Sequence, residues 1–141
     1  MIDQKEVGIY VHIPYCLSKC PYCDFNSVDA APAEARYSAA LVKELSFLVK
    51  SAAVRPGPVG TIYFGGGTPT LFKPDYIDMV LQAAGVEFEL SGNAEITIEA
   101  NPATVDLESL KALRSAGINR ISLGVQSFSD EALARLGRAH S

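Results

Sequence analysis

Short apolar runs alternate four times along this chain with longer stretches whose apolar residues fall at helical spacing, and that alternation limits the fold most. Residues 8–13, rich in Ile, Val and Tyr and ended by Pro14, read as a strand. From about 32 to 54, Tyr37, Leu41, Leu45, Leu48 and Val49 recur at helical spacing until Arg55-Pro56-Gly57-Pro58 interrupts them. A second strand is expected at 61–64. A second helix starts near Pro74, carries Ile77, Met79, Val80 and Leu81, and stops at Gly85. Residues 88–92 read as a connector, and 95–100 alternate as a third strand broken by Asn101-Pro102. Leu107, Leu110 and Leu113 mark a third helix with Asp106 as its cap and Gly117 as its stop. A fourth strand is expected at 120–125, then a short helix capped by Ser129, carrying Leu133 and Leu136 and stopping at Gly137. The class is therefore α/β: parallel βα repeats with right-handed crossovers and strands buried on both faces.

All the cysteines of the chain, Cys16, Cys20 and Cys23, lie in the loop leaving the first strand. Three thiols packed into eight residues of loop, with Pro14 and Pro21 bending the backbone, can converge on one metal centre but cannot form a closed set of disulfides. Thiolates suit iron-sulfur clusters or zinc. With His12 as a fourth donor they would complete a Cys3His zinc site, although the pleat of the strand sets the direction of that ring. Residues 1–6 are polar, and the apolar run after them is short, so nothing resembles an export signal. Free thiols then point to a reducing, cytoplasmic setting.

A composition that is 48% hydrophobic and 20% charged is that of an ordinary globular domain. Net charge -4, without clustered Lys and Arg, argues against a nucleic-acid partner. No apolar stretch approaches the roughly 20 residues of a transmembrane segment.

In parallel α/β folds the loops at the C-terminal ends of strands build the site. Those loops carry the cysteines, then Gly65-Gly66-Gly67-Thr68-Pro69, then Glu99 and Asn101, then Gln126 and Ser127. One shared pocket is the expectation. The glycines admit a ligand close to the main chain and leave amides free. Neither a dinucleotide fingerprint nor a P-loop is present. Each residue also has a plainer reading: Tyr22 as loop packing, Tyr10 as core, Glu99 as a solvent-facing strand end or a partner of Arg120, and Arg138 as a solvated cation.

The segment Tyr10-Val11-His12-Ile13-Pro14, the cysteine run and the following Asp24-Phe25-Asn26-Ser27 resemble the radical S-adenosylmethionine superfamily. Within it they resemble the oxygen-independent coproporphyrinogen III oxidases and the HemW-type haem chaperones. The resemblance implies the N-terminal part, about four βα units, of a partial (β/α)6 TIM-like barrel, with residues 1–141 forming one core domain truncated at its C-terminus. It further implies a 4Fe-4S cluster on Cys16, Cys20 and Cys23, one iron staying open for S-adenosylmethionine. Gly66, Gly67 and Thr68 match the segment that receives the cofactor's amino group, and Tyr22 matches an aromatic beside its adenine. Tyr10, Glu99 in Ile-Glu-Ala-Asn-Pro, Gln126 in Leu-Gly-Val-Gln-Ser-Phe, and Arg138 match further cofactor or substrate contacts.

Where the oxidase branch has a further cysteine this chain has Phe25, as the haem chaperones do. That departure implies haem or porphyrin, and haem-receiving proteins, as partners. The alternatives are an oxidase that abstracts hydrogen from a propionate side chain with a 5'-deoxyadenosyl radical, and a non-catalytic zinc module. Two consequences are expected. A β-branched residue at Gly66 fills ligand space and leaves the cluster intact, and a truncated barrel exposes an apolar edge at its fourth strand or terminal helix.

Overall fold

Val7, Ile9, Val11 and Ile13 share one face of the first strand, β1 (Val7–Ile13), while Gly8, Tyr10 and His12 share the other. That alternation positions everything else. The computed structural model describes residues 6–51, 57–138 and 140–141. In chain order the elements are β1, a strand pair β2 (Tyr15–Cys16) and β3 (Val28–Asp29), helix α1 (Glu34–Lys50), β4 (Val59–Gly66), α2 (Pro74–Glu87), β5 (Leu90–Ala100), α3 (Leu107–Ala116), β6 (Arg120–Leu123) and α4 (Asp130–Arg135). Single 3-10 turns at Pro69–Leu71 and Pro102–Thr104 follow β4 and β5.

The four long strands pair in the order β1-β4-β5-β6, all parallel. Val11, Ile13, Ile62, Phe64 and Ile98 point to the helix side and pack with Ile77, Val80, Leu81 and Leu113 into one core. The other side carries a polar row set by register, in which Tyr10 lies beside Tyr63, Tyr63 beside Thr97, and Thr97 beside Arg120. Burial on both faces was the expectation, and it is not met. Among the described residues helices cover one face only, and Tyr10 is 58% exposed on the other.

Most boundaries fall where expected, including α3, whose Asp106 and Ser109 form a reciprocal cap and whose C-cap Gly117 sits at φ 115°. Four do not. Helix α2 runs past Gly85 to Glu87, because buried Phe88 closes it by donating its amide to Ala84 O. Strand β5 starts at Leu90 inside the supposed connector. Val59 pairs with Leu90 and Thr61 with Glu95, so the residues between bulge out and hide the alternation. Strand β6 ends at Leu123, where the Gly124 amide still bonds Ala100 O but the Val125 amide folds back onto Leu123 O. The first helix begins at Glu34 and extends to Lys50, and its expected end at Val54 and stop at Arg55-Pro56 lie outside the described residues.

Candidate functional site

The loop between β2 and β3 is closed at its base by their pairing, with the Val28 amide bonded to Pro14 O at 2.8 Å. Inside it the Cys23 amide donates to Cys20 O and Lys19 Nζ to Phe25 O, turning the chain so that all three cysteines face one cavity. That cavity, of about 240 Å³, is lined across from the cysteines by Gly66, Gly67, Thr68, Glu99, Gln126 and Arg138, and beside them by Tyr22. All three thiols are free. Among the described residues no three His, Cys, Asp or Glu side chains stand close enough to hold a single metal ion.

Each strand end contributes through a definite contact. Thr68, buried, directs its hydroxyl at Cys16 Sγ, 3.8 Å away. Glu99 accepts from Tyr63 Oη at 2.7 Å with one oxygen and from the Gly66 amide at 3.1 Å with the other. Arg120 instead pairs with Glu95 at 3.5 Å, so the alternative of a Glu99–Arg120 pair is corrected. Arg138 is not a free solvated cation: its guanidinium donates to Cys20 Sγ at 3.4 Å and to Gly124 O at 2.7 Å. Gln126 lines the cavity from a backbone at φ 69°, a left-handed conformation uncommon outside glycine. Ser127 is used locally, its hydroxyl accepting from the Ser129 amide. Burial raises the pKa of the Tyr22 hydroxyl, and the neighbouring Cys20 raises it further.

The glycine stretch departs from expectation. Its amides are taken: Gly66 by Glu99, Gly67 by Ile13 O at 2.8 Å and Thr68 by Tyr15 O at 2.7 Å. A ligand group meeting it therefore finds carbonyl lone pairs rather than N–H donors, which suits an ammonium and not an anion. The glycines serve the protein as much as a ligand. A Cβ at Gly66, where φ is 117°, would lie 2.6 Å from His12 Cε1, and one at Gly67 would lie 2.5 Å from Tyr15 O. A bulky residue at Gly66 thus collides with the strand beside it and cannot act only by filling ligand space.

Tyr10 is not among the residues lining this cavity. Its hydroxyl bonds His12 Nδ1 at 3.0 Å, and its ring stacks on Tyr63 with centroids 6.1 Å apart. His12 Nε2 bonds Asn26 O at 2.8 Å. A carbonyl only accepts, so Nε2 carries the proton and Nδ1 receives the tyrosine's. With both nitrogens engaged, His12 is no candidate for a fourth zinc ligand. Sequence reasoning missed Tyr63, and its only signal was its parity with Tyr10 on the open face.

A four-stranded parallel α/β sheet with three free thiols and a glycine turn around one cavity defines a class, and the chain belongs to it: residues 10–141 match the Radical SAM superfamily. The fold agrees. The solved coproporphyrinogen III oxidase (HemN) of Escherichia coli superposes with a TM-score of 0.86 at 31% identity, covering 98% of this chain and 32% of that one. Among curated relatives, the heme chaperone HemW of Escherichia coli K12 is 43% identical over 141 residues, 99% of this chain and 37% of its own. The mitochondrial radical S-adenosyl methionine domain-containing protein 1 of Bos taurus is 40% identical over 138 residues, 97% of this chain and 31% of its own. The chain thus spans about a third of the length of these relatives.

Proposed function

We propose that this chain is the 4Fe-4S and S-adenosylmethionine-binding part of a HemW-like haem chaperone, corresponding to the N-terminal portion of its radical SAM domain. One observation carries the reading: the three thiols face the same cavity as the glycine turn, Glu99, Gln126 and Arg138. The donor set fits. Cys16, Cys20 and Cys23 would hold a cluster with one iron left open, and when bound it supplies an electron to the sulfonium of S-adenosylmethionine. Around it, Arg138 offers a guanidinium to Cys20 and Thr68 a hydroxyl to Cys16. The occupied amides of the glycine turn suit the cofactor's ammonium. Tyr22 offers a half-exposed ring for its adenine. We place the protein in a reducing setting, the cytoplasm in our reading, because cysteines that ligate a cluster must stay reduced.

Haem or porphyrin, and the proteins that receive haem, are the partners we assign to the longer protein. Phe25 supports this over porphyrinogen oxidation, since it lines the cavity where the oxidase branch carries a cysteine. The fold match to the Escherichia coli oxidase keeps oxidative decarboxylation as the second reading. Anaerobic reconstitution tests the first step. About four irons per chain and broad visible absorption are expected, both lost in Cys16→Ala, Cys20→Ala and Cys23→Ala. A full cluster in any of these variants would overturn the assignment. Haem binding without turnover of coproporphyrinogen III by a chain of the relatives' full length separates chaperone from oxidase.

A further inference from the structure

Tyr63 lies outside the cavity yet touches Glu99, the carboxylate that lines it among the described residues, and two of the glycines, Gly65 and Gly66, are fitted to that contact. Its hydroxyl donates to Glu99 Oε1 at 2.7 Å, while Glu99 Oε2 accepts from the Gly66 amide at 3.1 Å. Both strands supply the geometry, since Phe64 pairs with Ile98 and the flanking Tyr63 and Gly65 face the same side as Thr97 and Glu99. Gly65 leaves the space through which the contact passes. A Cβ there would lie 2.8 Å from the Tyr63 ring, 3.1 Å from the Tyr10 ring and 3.2 Å from Glu99 Oε2.

We propose that Tyr63 is a positioning residue, whose hydroxyl fixes the Glu99 carboxylate so that its other oxygen holds the Gly66 amide and shapes the glycine turn. This rests on the S-adenosylmethionine reading only in taking that turn as the cofactor's wall. A glutamate at a strand end has rotamer freedom that must be given up before it can hold anything in place. Two charge-assisted hydrogen bonds, one from the Tyr63 hydroxyl and one from the Gly66 amide of the same strand, remove that freedom before a ligand arrives. The stack of Tyr63 on Tyr10, centroids 6.1 Å apart at 25°, fixes the phenol in turn. Gly66 needs such a hold, because at φ 117° it sits where glycine has many alternatives. Gly67 and Thr68 do not, since backbone carbonyls of the first strand and the cysteine loop already bind their amides.

That contrast supplies the test. In the full chain without ligand, Tyr63→Phe should raise hydrogen exchange at the Gly66 amide by about tenfold and leave Gly67 and Thr68 unchanged, because only the Gly66 amide depends on the carboxylate. Glu99→Gln provides a second variant, since its single carbonyl oxygen cannot hold both donors in the same geometry, and should give the same selective rise. Calorimetry with S-adenosylmethionine should then show affinity lowered about tenfold in Tyr63→Phe, with no further loss when Glu99→Gln is added. Unchanged Gly66 exchange in both variants, or equal loosening of all three amides, would overturn the positioning role. A wild-type chain that loads its cluster but does not bind S-adenosylmethionine would overturn the cofactor reading instead, while the exchange pattern still decides the role of Tyr63.

Discussion

At Gly67 the chain runs so close to the end of β1 that a Cβ would meet three backbone atoms of Pro14 and Tyr15 within 2.7 Å. Neither side can yield as a flexible side chain would. Gly67→Ala should therefore destabilise the chain by about 1–3 kcal/mol, as overpacking does, and displace Thr68 from Cys16; urea unfolding and cluster content measure the two effects. A different residue-scale effect concerns Tyr63, whose pKa is raised from 10.0, first by its hydrogen bond to Glu99 and then by burial. A raised pKa means the folded state holds the proton more tightly than the unfolded one. Its contribution to stability is present in full below about pH 10 and is lost as pH climbs through the higher folded value. Wild type should thus lose stability more steeply above about pH 10 than Tyr63→Phe does, read from urea midpoints across that range. At this scale the cysteines were legible because their chemistry is local. Tyr63 was not, and Arg138 was named only through the family resemblance and without its partner, since Glu99 and Cys20 lie 36 and 118 residues away from them, distances no spacing rule crosses.

Helix α4 shows what a short element can hold. Ser129 caps it through the Ala132 amide, buried Leu133 anchors it, and the Arg138 amide bonds Leu133 O at 2.9 Å. That last bond ties the helix to the guanidinium that reaches Cys20 Sγ. Leu133→Ala should cost about 2–5 kcal/mol and loosen that reach, so alkylation of Cys20 in the unloaded chain should slow relative to Cys16, because a neighbouring guanidinium favours the reactive thiolate. A ratio of the two rates unchanged from wild type would detach Arg138 from this role. Elements announced by caps and periodicity were read correctly, α3 and α4 above all. Those that failed obey tertiary constraints: α2 overruns Gly85 because Phe88 has a core position to fill, and β5 starts early because Val59 offers Leu90 a partner. The pair β2 and β3 escaped notice because two residues carry no period.

On the scale of the whole molecule the sheet has an open side at β6. Its Ile121 and Leu123 are 40% and 47% exposed, although a parallel strand ordinarily has neighbours on both edges and cover on its apolar face. An apolar strand edge with free N–H and C=O groups pairs with whatever strand it meets. The described chain corresponds to 37% of the length of Escherichia coli HemW, and we propose that further βα units cover this edge in the longer protein. The 141-residue chain should accordingly self-associate reversibly, with sedimentation that depends on concentration up to about 100 µM. Ile121→Lys puts a charge on the exposed edge and should reduce association without touching the cavity, since Ile121 is not among its lining. A chain extended to the length of the relatives should be monomeric and unfold more cooperatively, because a larger fold buries a greater share of its surface. A cooperative monomer at 141 residues, unaffected by Ile121→Lys, would show that the open edge of β6 needs no cover.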